Sequence, residues 1–584
     1  MLTRSKHSNY SILILLGIFA GAAFTHALTR PAPDVSGRGP GDLLLWRSEL
    51  YPSDWNPRAL GDFATDKIIQ DFSYAGYHSG ERPLPSPEGP RFDVTASPFN
   101  ADNSGARDAT AAIQAAIDAA SAAGGGVVFL PAGTYHLSLS EDAREALHIT
   151  TDGVILRGEG PDRTFLLNTR TEMRSRVVIR IAGDGGRGDF FNRPSARTAI
   201  TQDLMRPTRV IPVAATDRFR PGDFVTIHHE LTDAWIEEHD EPSWLTDRGR
   251  PRAPAYLRQI TAVDHAAKTL TVDIPIRYFL RLRDNPMVFR LAAPPLREVG
   301  IEHLAIGNRE HPGRQWGEDD HRNEGTPAHD VHASFFVAFE RVRDSWARNI
   351  HSFSPEGNRS GAHFLSNGIL IHQSSRLTLA DVHLARPQYG GGGGNGYLFR
   401  LQHANDCLLI RCRATFSRHG FLFSHAGTNG VVLHDCVDDQ TGRATGHTGS
   451  YRTAGSSSDH HMQFSHSNLI DQSTANDSWF EARYRPHPRS AAVRHGVTAA
   501  HSVFWNITGR GSPAQAVVVT EQARYGYVIG TSGTRFRVER PNGRPSATDP
   551  ADHVEGVGRG ETLEPQSLFL DQLARRLGHT ENLP

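Results

Sequence analysis

The sequence predicts an all-β chain wound as a parallel β-helix, a solenoid of short strands and turns, with one helix near its start, a small β-rich insertion and one helix near its end. Three segments that are near copies of one another carry this: Asn367-Gly-Ile-Leu-Ile-His372, Asn395-Gly-Tyr-Leu-Phe-Arg400 and His419-Gly-Phe-Leu-Phe-Ser424. Each is followed by a second short apolar run, Ser375 to Val382, Asn405 to Cys412 and Asn429 to Cys436, so the repeating unit is two strands and two turns. The heads Asn367, Asn395 and His419 lie 28 and 24 residues apart. A period of that size with β-type patterning marks coils that bury their apolar face only by stacking, which lines equivalent positions up in outward columns. The 55 glycines and 35 prolines suit a chain of many turns.

The elements follow in order. Residues 1–27 read as a secretory signal: Arg4 and Lys6, an apolar run from Ser11 to Phe24, and Thr25-His26-Ala27 before the expected cleavage. The apolar run is short for a bilayer span of ~20 residues, so export with cleavage is favoured over an uncleaved anchor. The mature chain is then expected outside the cell or in a periplasm, with no stable membrane partner. Residues 28–90, with Trp46, Trp55 and Asp71 to Tyr77, read as an extended arm. The first coils occupy 91–199. They carry a capping helix over 108–122, marked by Asp108 and Thr110 as caps, by Ile113, Ala116, Ile117 and Ala120 at i, i+3, i+4, i+7, and by the stop Gly124-Gly-Gly126. The rhythm breaks over 200–287, where Phe219 to Ile227 and Thr269 to Ile274 indicate the β-rich insertion. The main β-helix spans 288–535. A Pro-rich linker and a helix fill 536–584, the helix with Leu570, Leu573 and Leu577 on one face and Gly578 as its C-cap.

A net charge of −2 and a pI near 7.0 give no basis for a nucleic-acid or anionic-membrane partner. The chain has only Cys407, Cys412 and Cys436. Cys412 and Cys436 occupy one repeat position in adjacent coils. Two readings stand side by side, a disulfide in an oxidising compartment or two small apolar residues in a core column.

The segment from Phe92 through Asn103, the helix that follows, Gly124-Gly-Gly-Val-Val-Phe-Leu-Pro-Ala-Gly-Thr-Tyr135 and Val154-Ile-Leu-Arg-Gly-Glu-Gly160 resemble the opening of the pectate-lyase superfamily. That resemblance implies a right-handed winding and a group that includes polysaccharide lyases, polygalacturonase- and rhamnogalacturonase-like glycoside hydrolases, and epimerases. It does not fix the chemistry. His419-Gly420 is similar to the His-Gly of polygalacturonase-type enzymes. Their Asn-Thr-Asp and Arg-Ile-Lys motifs are missing, and Asp438-Asp439 stands in reversed order relative to His419. The resemblance leaves room for a Ca²⁺ site built from surface carboxylates, as some related lyases use. No closed metal-ligand spacing is found among Asp459, His460, His461 and His466, so no metal ligands are assigned.

The register decides which residues face the outside: one choice puts polar ends outside and the aromatics in the core, and is favoured over the opposite one, which would expose two aromatics per coil. With Ile369, Ile371, Tyr397, Phe399, Phe421 and Phe423 inward, the outward positions are Asn367, Asn395 and His419 at the heads and His372, Arg400 and Ser424 at the tails. Eleven of the 31 histidines, His447 and His487 among them, fall between His403 and His501. Breaking a uronic-acid chain by β-elimination needs a cation on the carboxylate, a base for the C5 proton and an acid for the leaving oxygen. Arg418, His419 and Arg400 are the first candidates, with Arg413 nearby. A second constellation is Asp459-His-His461 with Asp471, Asp477, Trp479, Glu481 and Arg483. There, carboxylates such as Asp459, Asp477 or Glu481 would suit glycoside hydrolysis, and Trp479 would stack on a sugar. The expected catalytic set is therefore His419, Arg418, Arg400, His461, Asp459 and Glu481. The expected substrate-binding set is Asn367, Asn395, His372, Trp479 and Arg483. The function expected is cleavage of an acidic polysaccharide, by a lyase ahead of a hydrolase. A non-catalytic glycan-binding or adhesion solenoid is the alternative.

Overall fold

The computed structural model of the chain describes residues 44–86, 89–183, 195–245, 251–314, 316–442, 457–485, 495–512, 515–541, 550–579 and 583. The expected signal segment, the start of the arm, His447, His487 and most of the Pro-rich stretch lie outside these residues. The coils are those of a parallel β-helix. One wall is a parallel sheet with ten strands among the described residues, running in chain order from Glu145–Ile149 to Val538–Glu539. A larger parallel sheet, with nineteen strands among the described residues, forms the rest of the stack. The aliphatic and aromatic residues of both sheets meet in one buried core that includes Ile179, Val337, Phe339, Ile369, Ile371, Phe399, Phe421 and Phe423. Burial of these side chains between coils is what a single coil lacks and stacking supplies. No helix among the described residues is long and apolar enough to cross a membrane.

The first helix, Thr110–Ala122, packs Ile113, Ala116, Ile117 and Ala120 into that core and against the first strands. Asp108 lies just outside it, and its Oδ1 accepts from the Thr110 backbone N–H at 2.8 Å. The insertion is an antiparallel sheet with six strands among the described residues, from Ala196–Ala199 to Met287–Arg290, with its own core around Trp235, Trp244, Tyr256 and Tyr278. It leaves the stack unbroken, because Val177–Ala182 pairs directly with Phe335–Glu340. The insertion is pinned to a coil corner by a fully buried ion triplet: Arg258 and Arg277 reach opposite oxygens of Asp406 at 2.9 and 2.6 Å.

Coil pairing continues past residue 535, through Val538–Glu539 and His553–Glu555. The last helix, Leu568–Leu577, starts at the side-chain cap Ser567 and stops at Gly578, whose φ of 79° suits glycine. Its buried face is Leu568, Phe569, Gln572 and Leu573; of the expected stripe only Leu573 is fully buried. The helix and the arm residues Tyr51, Ile69, Phe72 and Tyr77 lie together on the outside of the large sheet, against Trp346 and Trp505. Cys407, Cys412 and Cys436 are all buried free thiols, so the core-column reading holds for Cys412 and Cys436.

Candidate functional site

Strand register places the outward residues of the ten-stranded sheet in columns. One column runs Phe335, Asn367, Tyr397, His419; the next runs Ala338, Leu370, Arg400, Leu422, Asp459, Glu481; a third runs Glu340, His372, Gln402, Ser424, Met462. The first and third copies of the repeat have the expected register. The second is displaced by two residues: Tyr397, not Asn395, stands beside Asn367 and His419, and Arg400 belongs to the middle column rather than beside His372 and Ser424. The cause is local. Asn395 and Gly396 belong to the turn before the strand, where Gly396 has a φ of 76° and a Cβ would meet Gly390 and Arg418. Gly420 follows His419 for a related reason, since a Cβ there would fall 2.6 Å from Asp438 Oδ1 and 2.9 Å from Ser458 Oγ inside the coil.

The columns bring Tyr397, His419, Asp459 and His461 together. The strand Ser458–Met462 breaks register at Phe423 and Ser424, leaving His461 as the unpaired bulge residue. A bulge re-aims a side chain; here the His461 ring lies 4.8 Å from that of His419, edge to face, and His460 turns inward to stack on Phe423. The Tyr397 ring is 5.1 Å from His419 and 5.7 Å from His461. His419 is fully buried, and its Nδ1 lies 2.7 Å from the Ser457 carbonyl oxygen. A carbonyl only accepts, so Nδ1 carries a proton, and in the neutral ring Nε2 presents a lone pair. That Nε2 has no hydrogen-bond partner among the described residues.

Asp459 is the hub of the cluster. Its Oδ1 lies 3.3 Å from His419 Nδ1, and its Oδ2 lies 3.1 Å from His461 Nδ1 and is paired with Arg485. Burial would raise the Asp459 carboxyl, but Arg485, His419 and His461 hold it well below the usual range. Burial pushes His461 well below an ordinary histidine despite Asp459, so the ring is neutral near pH 7. Its Nδ1 stands between the Asp459 carboxylate and the Arg485 guanidinium, 3.0 Å from the latter. It can donate to the first or accept from the second, not both. Burial also raises the Tyr397 hydroxyl, against the opposing pull of Arg418 and Arg400, so it remains protonated.

Three ligand atoms of His419, Asp459 and His461 lie within 4.8 Å of one another. The set does not fit Ca²⁺, which takes six to eight oxygens: two donors are imidazoles, and the carboxylate already carries Arg485. The arrangement fits proton transfer.

A second cluster flanks the first. At the corners after three successive strands, Gln373, His403 and His425 adopt left-handed φ values of 50°, 52° and 69°, and the His403 and His425 rings lie 5.0 Å apart, tilted to one another. His372 lies 6.0 Å from His403. Arg400 reaches from the middle column to within 5.8 Å of the Tyr397 ring and links the two clusters. Its Nε is buried and has no partner among the described residues. Burial lowers His425 to about 3, with Arg400 and His372 adding to the effect. No carboxylate among the described residues forms an ion pair with Arg400.

Several expected site residues have other work. Asn367 accepts from the Tyr397 N–H at 2.8 Å and donates to the Gly394 carbonyl at 3.2 Å. Asn395 accepts from Ala333 N–H and Ser366 Oγ, each at 2.9 Å, and is fully buried. Both are turn locks. Trp479 has no exposed surface; it packs on Ala516 and Val519 and donates to Glu481 at 3.0 Å, so neither face is open to a sugar. Glu481 also holds Arg483 at 3.0 Å and Arg485 at 3.2 Å. Asp477 faces a different turn, accepting from Ser512 N–H at 3.0 Å. Asp471 binds His434 at 2.8 Å and caps the last helix through Leu568 N–H and Ser567. Arg418 lies at the rim, bonded to the Gly391 carbonyl and 3.6 Å from Glu318, and Arg413 pairs with Asp439. Sequence reasoning missed Tyr397, taken as core, and Arg485.

The class defined by this architecture is the parallel β-helix, and the chain is a pectate-lyase-like member of it. Residues 94–203 match the family described as rhamnogalacturonase A/epimerase, pectate lyase-like. The chain is similar to mannuronan C5-epimerase AlgE4 of Azotobacter vinelandii, 45% identical over 74 residues, 13% of this chain and 13% of that protein. Alginate lyase 7 of the same organism is 44% identical over 68 residues, 12% of this chain and 8% of that protein. The chain thus spans a small part of the curated relatives it matches. Among solved structures it is similar to the tailspike gp61 of Pseudomonas phage phi297, with a TM-score of 0.41, 10% identity, and coverage of 80% of this chain and 84% of that one.

Proposed function

We propose that the chain is an enzyme that cleaves an acidic polysaccharide by β-elimination on the outer face of the ten-stranded sheet. The observation that carries this is that the buried Nε2 of His419 has no hydrogen-bond partner among the described residues, in a ring 5.1 Å from that of Tyr397, which in turn lies beside Arg400. In this reading Arg400 binds the uronate carboxylate and stabilises the charge that develops on it. His419 Nε2 takes the C5 proton, the C4–O bond breaks as the C4–C5 double bond forms, and the Tyr397 hydroxyl protonates the leaving oxygen. Asp459, fixed by Arg485, orients the two imidazoles.

Hydrolysis by paired carboxylates has less support. Asp459 and Glu481 are neighbours on adjacent strands that share the Arg485 guanidinium, and Asp477 is on another turn. Opposed carboxylates separated by ~5 to ~9 Å are what that chemistry uses. The relatives named as a C5-epimerase and an alginate lyase favour a uronan as substrate, and C5 proton removal is common to epimerisation and elimination. Export through residues 1–27 belongs to the same reading and is checked by sequencing the N-terminus of the mature protein.

The purified chain, screened against alginate, pectate, glucuronan and neutral polysaccharides, is expected to generate ultraviolet absorbance from an unsaturated uronate on one acidic polymer. Reducing ends without that absorbance would sink elimination in favour of hydrolysis. Solvent deuterium entering C5 without chain cleavage would indicate epimerisation, and binding without any turnover would indicate an adhesion solenoid.

A further inference from the structure

A cavity of about 640 Å³ lies away from the candidate site, with none of its walls in the ten-stranded sheet. Three parts of the chain far apart in sequence form it: the arm at Trp55 and Arg58, the insertion at Arg209 and Ile276, and the last helix at Gln572 and Arg576. Its frame is rigidly tied. Gln572 donates to the Gln70 carbonyl and accepts from Phe72 N–H, both at 2.8 Å, and Gln70 donates to the Arg277 carbonyl at 3.0 Å.

Among the described residues, five arginines line this space with one acid, Asp71. Three of them are neutralised: Arg277 by Asp406, Arg575 by Asp571 at 2.6 Å and Arg576 by Glu81 at 3.0 Å. The other two are not. The Arg58 guanidinium has neither a carboxylate nor a hydrogen-bond partner among the described residues, and Arg209 is held only through its Nε, 2.8 Å from the Val272 carbonyl. The terminal amino groups of Arg209 stay available. The hydroxyl of Tyr74, also on the wall, makes no hydrogen bond among the described residues either. Apolar wall comes from Trp55, Leu60 and Ile276. The volume falls in the ~300–1,000 Å³ range of small-molecule sites. Guanidinium forks bind carboxylates in bidentate fashion, and mixed apolar and hydrogen-bonding walls suit a sugar ring, which has C–H faces and hydroxyl edges.

We propose that this cavity is a second, non-catalytic binding site for a carboxylated sugar, with Arg58 and Arg209 taking the carboxylate. It does not depend on the reaction proposed above. Its ligand is a short uronate segment, held on the face of the solenoid that the arm and the last helix build.

The test is calorimetric titration of the full chain and of the Arg58→Gln/Arg209→Gln double variant with trigalacturonate and trimannuronate, with maltotriose as the neutral probe. At least one uronate is expected to bind, the double variant to lose about tenfold or more in affinity at that site, and maltotriose to bind far more weakly. Polysaccharide turnover and the melting temperature should be unchanged in the double variant, because Arg58 and Arg209 are exposed and outside the reacting cluster. Arg400→Gln should leave this binding intact. Uronate binding equal in the double variant and the unsubstituted chain overturns the proposal, as does equal binding of maltotriose or no uronate binding at all. A chain without turnover on any polymer leaves these outcomes readable, so the two proposals fail separately.

Discussion

His419 and Asp459 stand 3.3 Å apart on adjacent strands, both essentially without exposed surface. The carboxylate and the Ser457 carbonyl both face Nδ1 of the imidazole, which fixes the tautomer and leaves the opposite nitrogen as the basic one. A buried imidazole with one nitrogen tied to an acceptor and the other bare is arranged for proton transfer.

His419→Gln is therefore expected to lower turnover by about 10²–10⁴-fold, the range for removing a positioned general base. The readout is the initial rate of absorbance on the polymer that the screen identifies. Unfolding midpoint and uronate affinity should change little. A variant that retains more than a tenth of the rate would remove His419 from the reaction.

Asp459→Asn separates position from charge. It leaves Arg485 buried with Glu481 as its one remaining counter-charge among the described residues, and breaking a buried ion pair from one side costs ~3–5 kcal/mol. A clear fall in the urea midpoint at constant slope is the expected result. Adding Arg485→Met to Asp459→Asn should recover part of the loss, since the orphaned charge is then gone. A double variant less stable than Asp459→Asn alone would show that Arg485 is held chiefly by other contacts.

The architecture was legible because periodicity survives in sequence: stacked coils force the same apolar positions to recur, as Ile369, Phe399 and Phe421 do. The register of the second copy was not. Asn395-Gly396 looks like a strand head, and only the turn geometry, with Gly396 at positive φ, shows that the strand begins two residues later. Tyr397 was lost to the core for that reason. His419 and Asp459 were visible as titratable residues breaking a regular pattern. Arg485 was not, since it reaches Asp459 from 26 residues on, where it pairs with Gly496, and no local spacing encodes that. Trp479 misled in the opposite direction: an aromatic among charges reads as a sugar platform, yet its neighbours Ala516 and Val519 come from a later coil.

Acid sensitivity follows from the buried histidines. His228, His229, His332, His363 and His501 are lowered to about 4, and His425 and His460 to about 3, in each case first by burial. Between those values and the ordinary 6.5, the unfolded chain binds protons that the folded chain refuses, so stability is lost as pH falls through that window. Asp438 and Asp552, raised by burial to about 6 and about 7, act in the opposite sense, but they are two groups against seven. The expected outcome is a urea midpoint nearly constant above pH 7 and falling progressively from pH 6.5 to 4. A midpoint flat across that interval would show that these imidazoles are protonated in the fold.

Trp479→Ala distinguishes a sugar platform from a core residue. Trp479 is fully enclosed by Ala516 and Val519, and its indole N–H donates to Glu481 at 3.0 Å. Truncation opens a cavity and frees one oxygen of a carboxylate that also holds Arg485, the partner of Asp459. The cost expected is ~3–5 kcal/mol of stability, with polysaccharide affinity below the lowered melting temperature unchanged within about twofold, since no face of the ring is open to a ligand. A variant that melts normally but binds its polymer tenfold more weakly would mean that the indole meets the sugar, and that the coil around Trp479 opens when the substrate is present.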